Sequence, residues 1–199
     1  MRKSVKQQLA LRVLSTAALM AMVSSIATAA FADTYDLNKG SVTVKTKDDG
    51  FTYVTQENTE INDHQDDTGV TITSYGKKTE NTITVDTAKD QTTDVTLKDV
   101  HIETEGSWNN TGSAPIEIKG DGDTNLELNG DNTVLSGDRY HAAIEKADKN
   151  GTGTLTIKDD LNDDNSTPKD KDENGNAAGG DTGKLLAGGY GDGAGIGGG

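Results

Sequence analysis

The sequence predicts an all-β chain wound as a right-handed parallel β-helix, with three strands to a coil and ~30 residues to a repeat, behind a short N-terminal cap. Three observations carry this. Residues 94–145 hold two successive copies of a three-part unit. The parts are Val95-Thr96-Leu97, Val100-His101-Ile102 and Ala114-Pro115-Ile116 in one copy, and Leu126-Glu127-Leu128, Thr133-Val134-Leu135 and Ala142-Ala143-Ile144 in the next. First parts recur after 31 residues and third parts after 28. Each part is a short alternating run, the period of a strand with one buried face. Finally, hydrophobic residues make up 31% of the chain and aromatics 4%. That would starve a globular core, but a stacked coil needs only a few inward Ile, Val and Leu side chains. Alternation alone would also suit a sandwich of hairpins, with residues 120–123 (GDGD) closing one of them. Recurrence of a whole three-strand unit favours the coil, because hairpin meanders have no reason to repeat with matched parts.

From the start, residues 1–32 read as a secretory signal peptide. Arg2, Lys3, Lys6 and Arg12 give the basic start, residues 13–26 are apolar and uncharged, and Ala30-Phe31-Ala32 offers a small-x-small cleavage site. The competing reading is a membrane anchor, but the apolar run falls short of the ~20 residues that span a bilayer. The expected localisation is therefore secreted or extracellular, with cell-wall association open. Removal of this segment takes the formal charge from −14 to −18. So acidic a chain is not drawn to nucleic acid or anionic lipid, and nothing in it calls for membrane insertion. Cysteine is absent, so packing, backbone ladders or metal must hold the exported domain together.

Residues 33–69 are assigned to the cap, with strands at 41–47 (SVTVKTK) and 51–55 (FTYVT) and a polar loop at 58–68. Residues 70–199 are assigned to coils. The runs at 70–73 (VTIT) and 81–86 (NTITVD) are rich in β-branched residues, and Val85 precedes Val95 by 10 as Ile116 precedes Leu126, so an earlier coil lies there. A further copy begins at Leu155-Thr156-Ile157, 29 residues after Leu126. Its later parts, Leu185-Leu186-Ala187 and Ala194-Gly195-Ile196, arrive 51 after Val134 and 52 after Ala142, so an insertion at residues 159–182 separates its first two strands. Four coils rising by one strand spacing make a stub of roughly 20 Å. Another strand falls due soon after Gly199, so the chain is expected to be a fragment of a longer protein with further C-terminal coils or an anchor domain.

Particular phrases carry a resemblance: residues 95–100 (VTLKDV), 114–119 (APIEIK), 126–135 (LELNGDNTVL), Ala142-Ala143-Ile144 and the ending 193–199 (GAGIGGG). Over residues 82–199 the chain resembles a family of secreted or surface-attached bacterial proteins with carbohydrate-binding β-helix domains. The resemblance implies a pectate-lyase-shaped solenoid, with a polysaccharide or cell-surface glycan as partner and calcium as an aid to binding.

Two constellations could carry such a function. In the insertion, Asp170, Asp172, Asn174 and Asn176, with Gly175 between the last two and Asp181 at the twelfth position, follow the spacing of a calcium loop, where oxygens converge around a glycine turn. Asp181 replaces the usual Glu, and no amphipathic helix flanks the loop, so a merely solvated acidic run fits the same residues. The second constellation lies in the loops before each third strand, 106–113, 137–141 and 188–193. Each carries one aromatic, Trp108, Tyr140 and Tyr190, beside Asn109, Asn110, Arg139 and Asp192. Stacked coils would align these rings, and an apolar ring face with polar neighbours suits a sugar. The rings would serve equally as a shield for the interior at a corner. Arg139 could fork onto a uronate carboxylate or be neutralised by Asp138. His64, His101 and His141 lack metal-ligand spacing, and no pair of carboxylates is singled out for hydrolysis. The expectation is a non-catalytic binder, with an adhesin-type stalk and a polysaccharide lyase-like enzyme as alternatives.

Overall fold

The computed structural model describes residues 33–57, 59–62, 69–106, 112–147, 151–159, 183–191 and 193–198. All lie in the compact unit Phe31–Gly199. The predicted signal peptide, Trp108, Asn109, Asn110, Asp192 and residues 160–182 of the insertion fall outside the described residues.

Among the described residues, sixteen strands build three sheets, and from residue 70 onward the chain visits those sheets in rotation. The strands are β1 (Asp33–Asp36), β2 (Val42–Thr46), β3 (Thr52–Gln56), β4 (Thr59–Asn62), β5 (Val70–Thr73), β6 (Lys78–Thr79), β7 (Ile83–Thr87) and β8 (Thr92–Lys98). They continue as β9 (His101–Glu103), β10 (Ile116–Lys119), β11 (Asp123–Asn129), β12 (Asp131–Leu135), β13 (Ile144–Lys146), β14 (Leu155–Lys158), β15 (Lys184–Gly188) and β16 (Ile196–Gly198). Sheet one runs β1-β5-β8-β11-β14, sheet two β6-β9-β12-β15, and sheet three β4-β3-β2-β7-β10-β13-β16. Every pairing is parallel except β2 with β3 and β3 with β4. The fold is thus all-β with three largely parallel sheets.

The stretch assigned to a cap divides in two. β1 lies parallel to β5 and β2 parallel to β7, so with a single 3-10 turn at Leu37–Lys39 they make one more turn of the winding. Among the described strands, β3 pairs antiparallel with β2 and β4 with β3, extending the edge of sheet three.

Inward side chains form continuous rows. In sheet three they are Val42, Ile83, Ile116 and Ile144; in sheet one Val70, Val95 and Leu126; in sheet two Ile102 and Val134, all buried. Each such burial contributes roughly 1.5–3 kcal/mol before chain entropy is charged against it. A polar row runs among them. Thr52, Thr46, Thr93, Thr87 and Thr124 link hydroxyl to hydroxyl at 3.0, 2.6, 2.7 and 3.1 Å in that order.

Buried polar residues also shift three of the expected registers. His101 stands opposite Thr133 and Ile102 opposite Val134, so Val100 is matched by Asn132 and not by Thr133. A slip of one would have turned every side chain over. Asn132 is buried with its Oδ1 accepting Val100 N–H at 3.0 Å and its Nδ2 donating to Asn129 O at 3.1 Å. In the last turn Leu126 pairs with Ile157 and Thr124 with Leu155, so the repeat is 31 residues there and not 29. Val134 likewise faces Ala187, two residues beyond the expected Leu185. Ile144 meets Ile196 at the expected spacing of 52.

Candidate functional site

The connections from sheet two to sheet three differ most in length among the first turns. Three residues join β6 to β7, twelve join β9 to β10, eight join β12 to β13 and seven join β15 to β16. The eight-residue loop is tied down along its length. Ser136 N–H donates to Gly188 O at 2.8 Å, tying the loop to the next turn. Asp138 is fully buried, its Oδ1 accepts Tyr140 N–H at 2.8 Å, and its backbone N–H donates to Ser136 Oγ at 3.3 Å. That tight local turn sends Asp138 inward and leaves Tyr140 outside. Beyond it, Glu145 is 5% exposed, with Oε2 accepting Ala142 N–H at 3.1 Å and lying 3.0 Å from His141 Nδ1. A buried carboxylate thus clamps each half of the loop.

The loop above it packs against Arg139. Gly191 has φ of 64°, and a Cβ there would sit 3.3 Å from Arg139 Cβ. Gly193 N–H donates to Tyr190 O at 3.1 Å, and a Cβ on Gly193 would come within 2.9 Å of His141 O. Arg139, Tyr140 and Tyr190 therefore share one corner on successive turns. The Arg139 guanidinium stands 6.0 Å from the Tyr140 ring centroid, at the outer limit of a cation–π contact.

Neither ring shields the interior. Tyr140 is 56% and Tyr190 57% exposed, while Ala114, Ala142 and Ala143 close the core behind them. Asp138 lies inside and accepts the Tyr140 N–H. Trp108, Asn109 and Asn110, the other carbohydrate candidates, lie outside the described residues, as do all five calcium candidates, Asp170, Asp172, Asn174, Asn176 and Asp181. Among the described residues, no three His, Asp or Glu side chains are grouped to hold a metal.

Charge is organised on the outer face of sheet two. Lys78 pairs with Glu103, and His101 Nε2 lies 2.9 Å from Glu103 Oε1. The hydrogen bond from Lys78, and then that from His101, holds the Glu103 carboxyl below the usual carboxylate range. The same Glu103 bond raises Lys78. His101 is half-buried on the outward face, as its alternation with Val100 and Ile102 predicts.

Sequence reasoning missed the roles of Asp138 and Glu145. Asp-x-Tyr is the pattern of a side chain bonding the backbone two residues on, and that signal was available. It also missed a polar groove of about 440 Å³ lined by Ser41, Thr43, Thr55, Glu57 and Asn81, which the antiparallel pairing of β2 with β3 creates. No sequence repeat points to that groove, since it lies where the winding is interrupted.

Compared with known proteins, the chain matches no family model, no curated protein and no solved structure.

Proposed function

We propose that this chain is a secreted, non-catalytic carbohydrate-binding protein built on a right-handed parallel β-helix. Three parallel sheets visited in rotation support the helical winding. Parallel crossovers are right-handed in about 98% of cases, which supports the hand. The observation that carries the binding function is the pair Tyr140 and Tyr190, more than half exposed on loops of successive turns with Arg139 beside them. An exposed ring offers a flat apolar face to the C–H face of a sugar, while the guanidinium and loop amides take its hydroxyls or a carboxylate. Calcium belongs to the proposal through the 170–181 loop, whose oxygen-bearing residues suit a hard cation.

A glycan array probed with the purified chain, then with Tyr140→Ala, Tyr190→Ala and Trp108→Ala, tests this. Each variant is expected to lose roughly tenfold in affinity, equivalent to 1.4 kcal/mol, while keeping its urea midpoint. Undiminished glycan binding by all three folded variants overturns the reading. Release of unsaturated products from pectin would replace it with a lyase.

A second reading, an adhesin-type stalk that makes protein contacts, is favoured by one feature. β14, β15 and β16 are the last of the described strands in their sheets, and Leu186 and Ile196 on them are 60% and 51% exposed. Apolar side chains on such strands suit contact with further strands, whether of this chain or of another.

A further inference from the structure

The groove at the N-terminal end of sheet three carries chemistry that the corner loops lack. Its volume, about 440 Å³, lies in the range of small-ligand sites, yet its lining is polar throughout: Ser41, Thr43, Thr55, Glu57 and Asn81. Thr43 and Thr55 stand directly opposite each other across β2 and β3. Ser41 Oγ accepts Thr82 N–H at 3.0 Å and lies 3.4 Å from Thr82 Oγ1, which leaves its own proton to offer. Asn81 is oriented by the bond from its Nδ2 to Leu37 O at 2.7 Å, so its Oδ1 remains as an acceptor.

Glu57 is held over this groove by the backbone. It occupies the two-residue connection between β3 and β4 with φ of 49°, the left-handed conformation such a turn requires. Its N–H donates to Ser41 O at 3.3 Å. Its side chain passes over Gly40, where a Cβ would stand 2.0 Å from Glu57 Cγ and 2.5 Å from Oε1, and Gly40 has φ of 138°. Only glycine leaves room for that side chain. Among the described residues, the lining thus presents one carboxylate, one amide oxygen and three hydroxyls, with no cationic and no apolar side chain. An ionised carboxylate only accepts hydrogen bonds, and an ammonium only donates them.

We propose that this groove binds a small primary ammonium that also carries hydroxyl groups, the chemistry of an amino sugar. Glu57 takes the ammonium, and Ser41, Thr43, Thr55 and Asn81 take the neighbouring hydroxyls. The site stands apart from the Tyr140 and Tyr190 corner and does not rest on it.

Calorimetric titration of the whole chain at about 0.15 M salt, where diffuse surface attraction is screened, tests the proposal with glucosamine, glucose, N-acetylglucosamine and ethylammonium. Glucosamine is expected to bind saturably and about tenfold or more tightly than the other three, a 1.4 kcal/mol difference. Glu57→Gln is expected to erase that preference, and Thr55→Val to weaken glucosamine binding. The double variant Tyr140→Ala, Tyr190→Ala is expected to leave it unchanged, so failure of the corner site and failure of the groove are read separately. The proposal is overturned if glucose binds as well as glucosamine, if ethylammonium does, if Glu57→Gln makes no difference, or if no titration saturates.

Discussion

Replacing Thr87 with valine removes one hydroxyl from the buried part of a chain of five. Thr87 Oγ1 lies 2.7 Å from Thr93 Oγ1 and 3.1 Å from Thr124 Oγ1, and all three residues are at most 1% exposed. In the variant Thr93 keeps its 2.6 Å bond to Thr46, whereas Thr124 loses its hydroxyl partner in a site without access to water. A buried hydroxyl left unsatisfied costs ~1–3 kcal/mol, and valine's extra methyl offsets part of this, so Thr87→Val is expected to destabilise by about 2 kcal/mol. With a urea m-value of ~1–3 kcal/mol/M, the midpoint should fall by about 1 M at unchanged slope. The double variant Thr87→Val, Thr124→Val replaces both partners by matching apolar groups. It should be no less stable than the single variant, giving a coupling of roughly 1–2 kcal/mol. Equilibrium unfolding followed by circular dichroism reads four proteins: the wild type, Thr87→Val, Thr124→Val and the double variant. A neutral Thr87→Val, or costs that simply add in the double variant, would refute the idea that the hydroxyl row works as a unit.

Other outcomes follow from equally local geometry. Gly120→Ala should lower stability by at least ~2 kcal/mol in the same assay, because Gly120 has φ of 84° and a Cβ there would stand 2.1 Å from Thr87 O. Asn132→Leu should cost ~1–3 kcal/mol by leaving the Val100 N–H buried without its acceptor, and hydrogen exchange at Val100 should quicken. Glu103, with its carboxyl held low in the folded chain, contributes stability at neutral pH. That contribution is lost as pH falls from the ordinary glutamate range through the lowered folded value. Lys78, raised, keeps its contribution below the ordinary lysine value and loses it as pH climbs through the raised one. Lys78 is exposed and Glu103 half-buried, so the effect is small, and Glu103→Gln should flatten the acid limb of the stability profile and, by removing the partner that raises Lys78, the alkaline limb as well.

The repeat and its alternation reveal the three-sheet winding because each inward apolar residue stacks on another of its kind. Val95 on Leu126 and Ile116 on Ile144 are legible in the sequence for that reason. Registers failed where the inward position is polar. Asn132 and Thr124 lie outside the alternating runs, yet each is buried, satisfied by a backbone amide in one case and a neighbouring hydroxyl in the other. The first turn was hidden for a related reason: Asp33–Asp36 is a short polar strand whose partner Val70–Thr73 lies beyond an antiparallel detour. At the corner, Tyr140 and Tyr190 were found by comparing loops, whereas the carboxylates that shape the loop were not, since clamping leaves no periodic trace. The groove around Glu57 depends on φ at two residues, Gly40 and Glu57, and no composition rule encodes that conjunction.

The connections from sheet two to sheet three grow from three residues to twelve and then settle at eight and seven, while the inward rows on either side keep their register. Loop-closure entropy rises by only ~0.6 kcal/mol for each doubling, so lengthening that corner fourfold costs about 1.2 kcal/mol. The loops at that corner can therefore change length while the inward rows stay in place. Selection for what the surface touches and selection for what the chain folds into would then act on separate residues, joined only through the few glycines and carboxylates at the hinge between them.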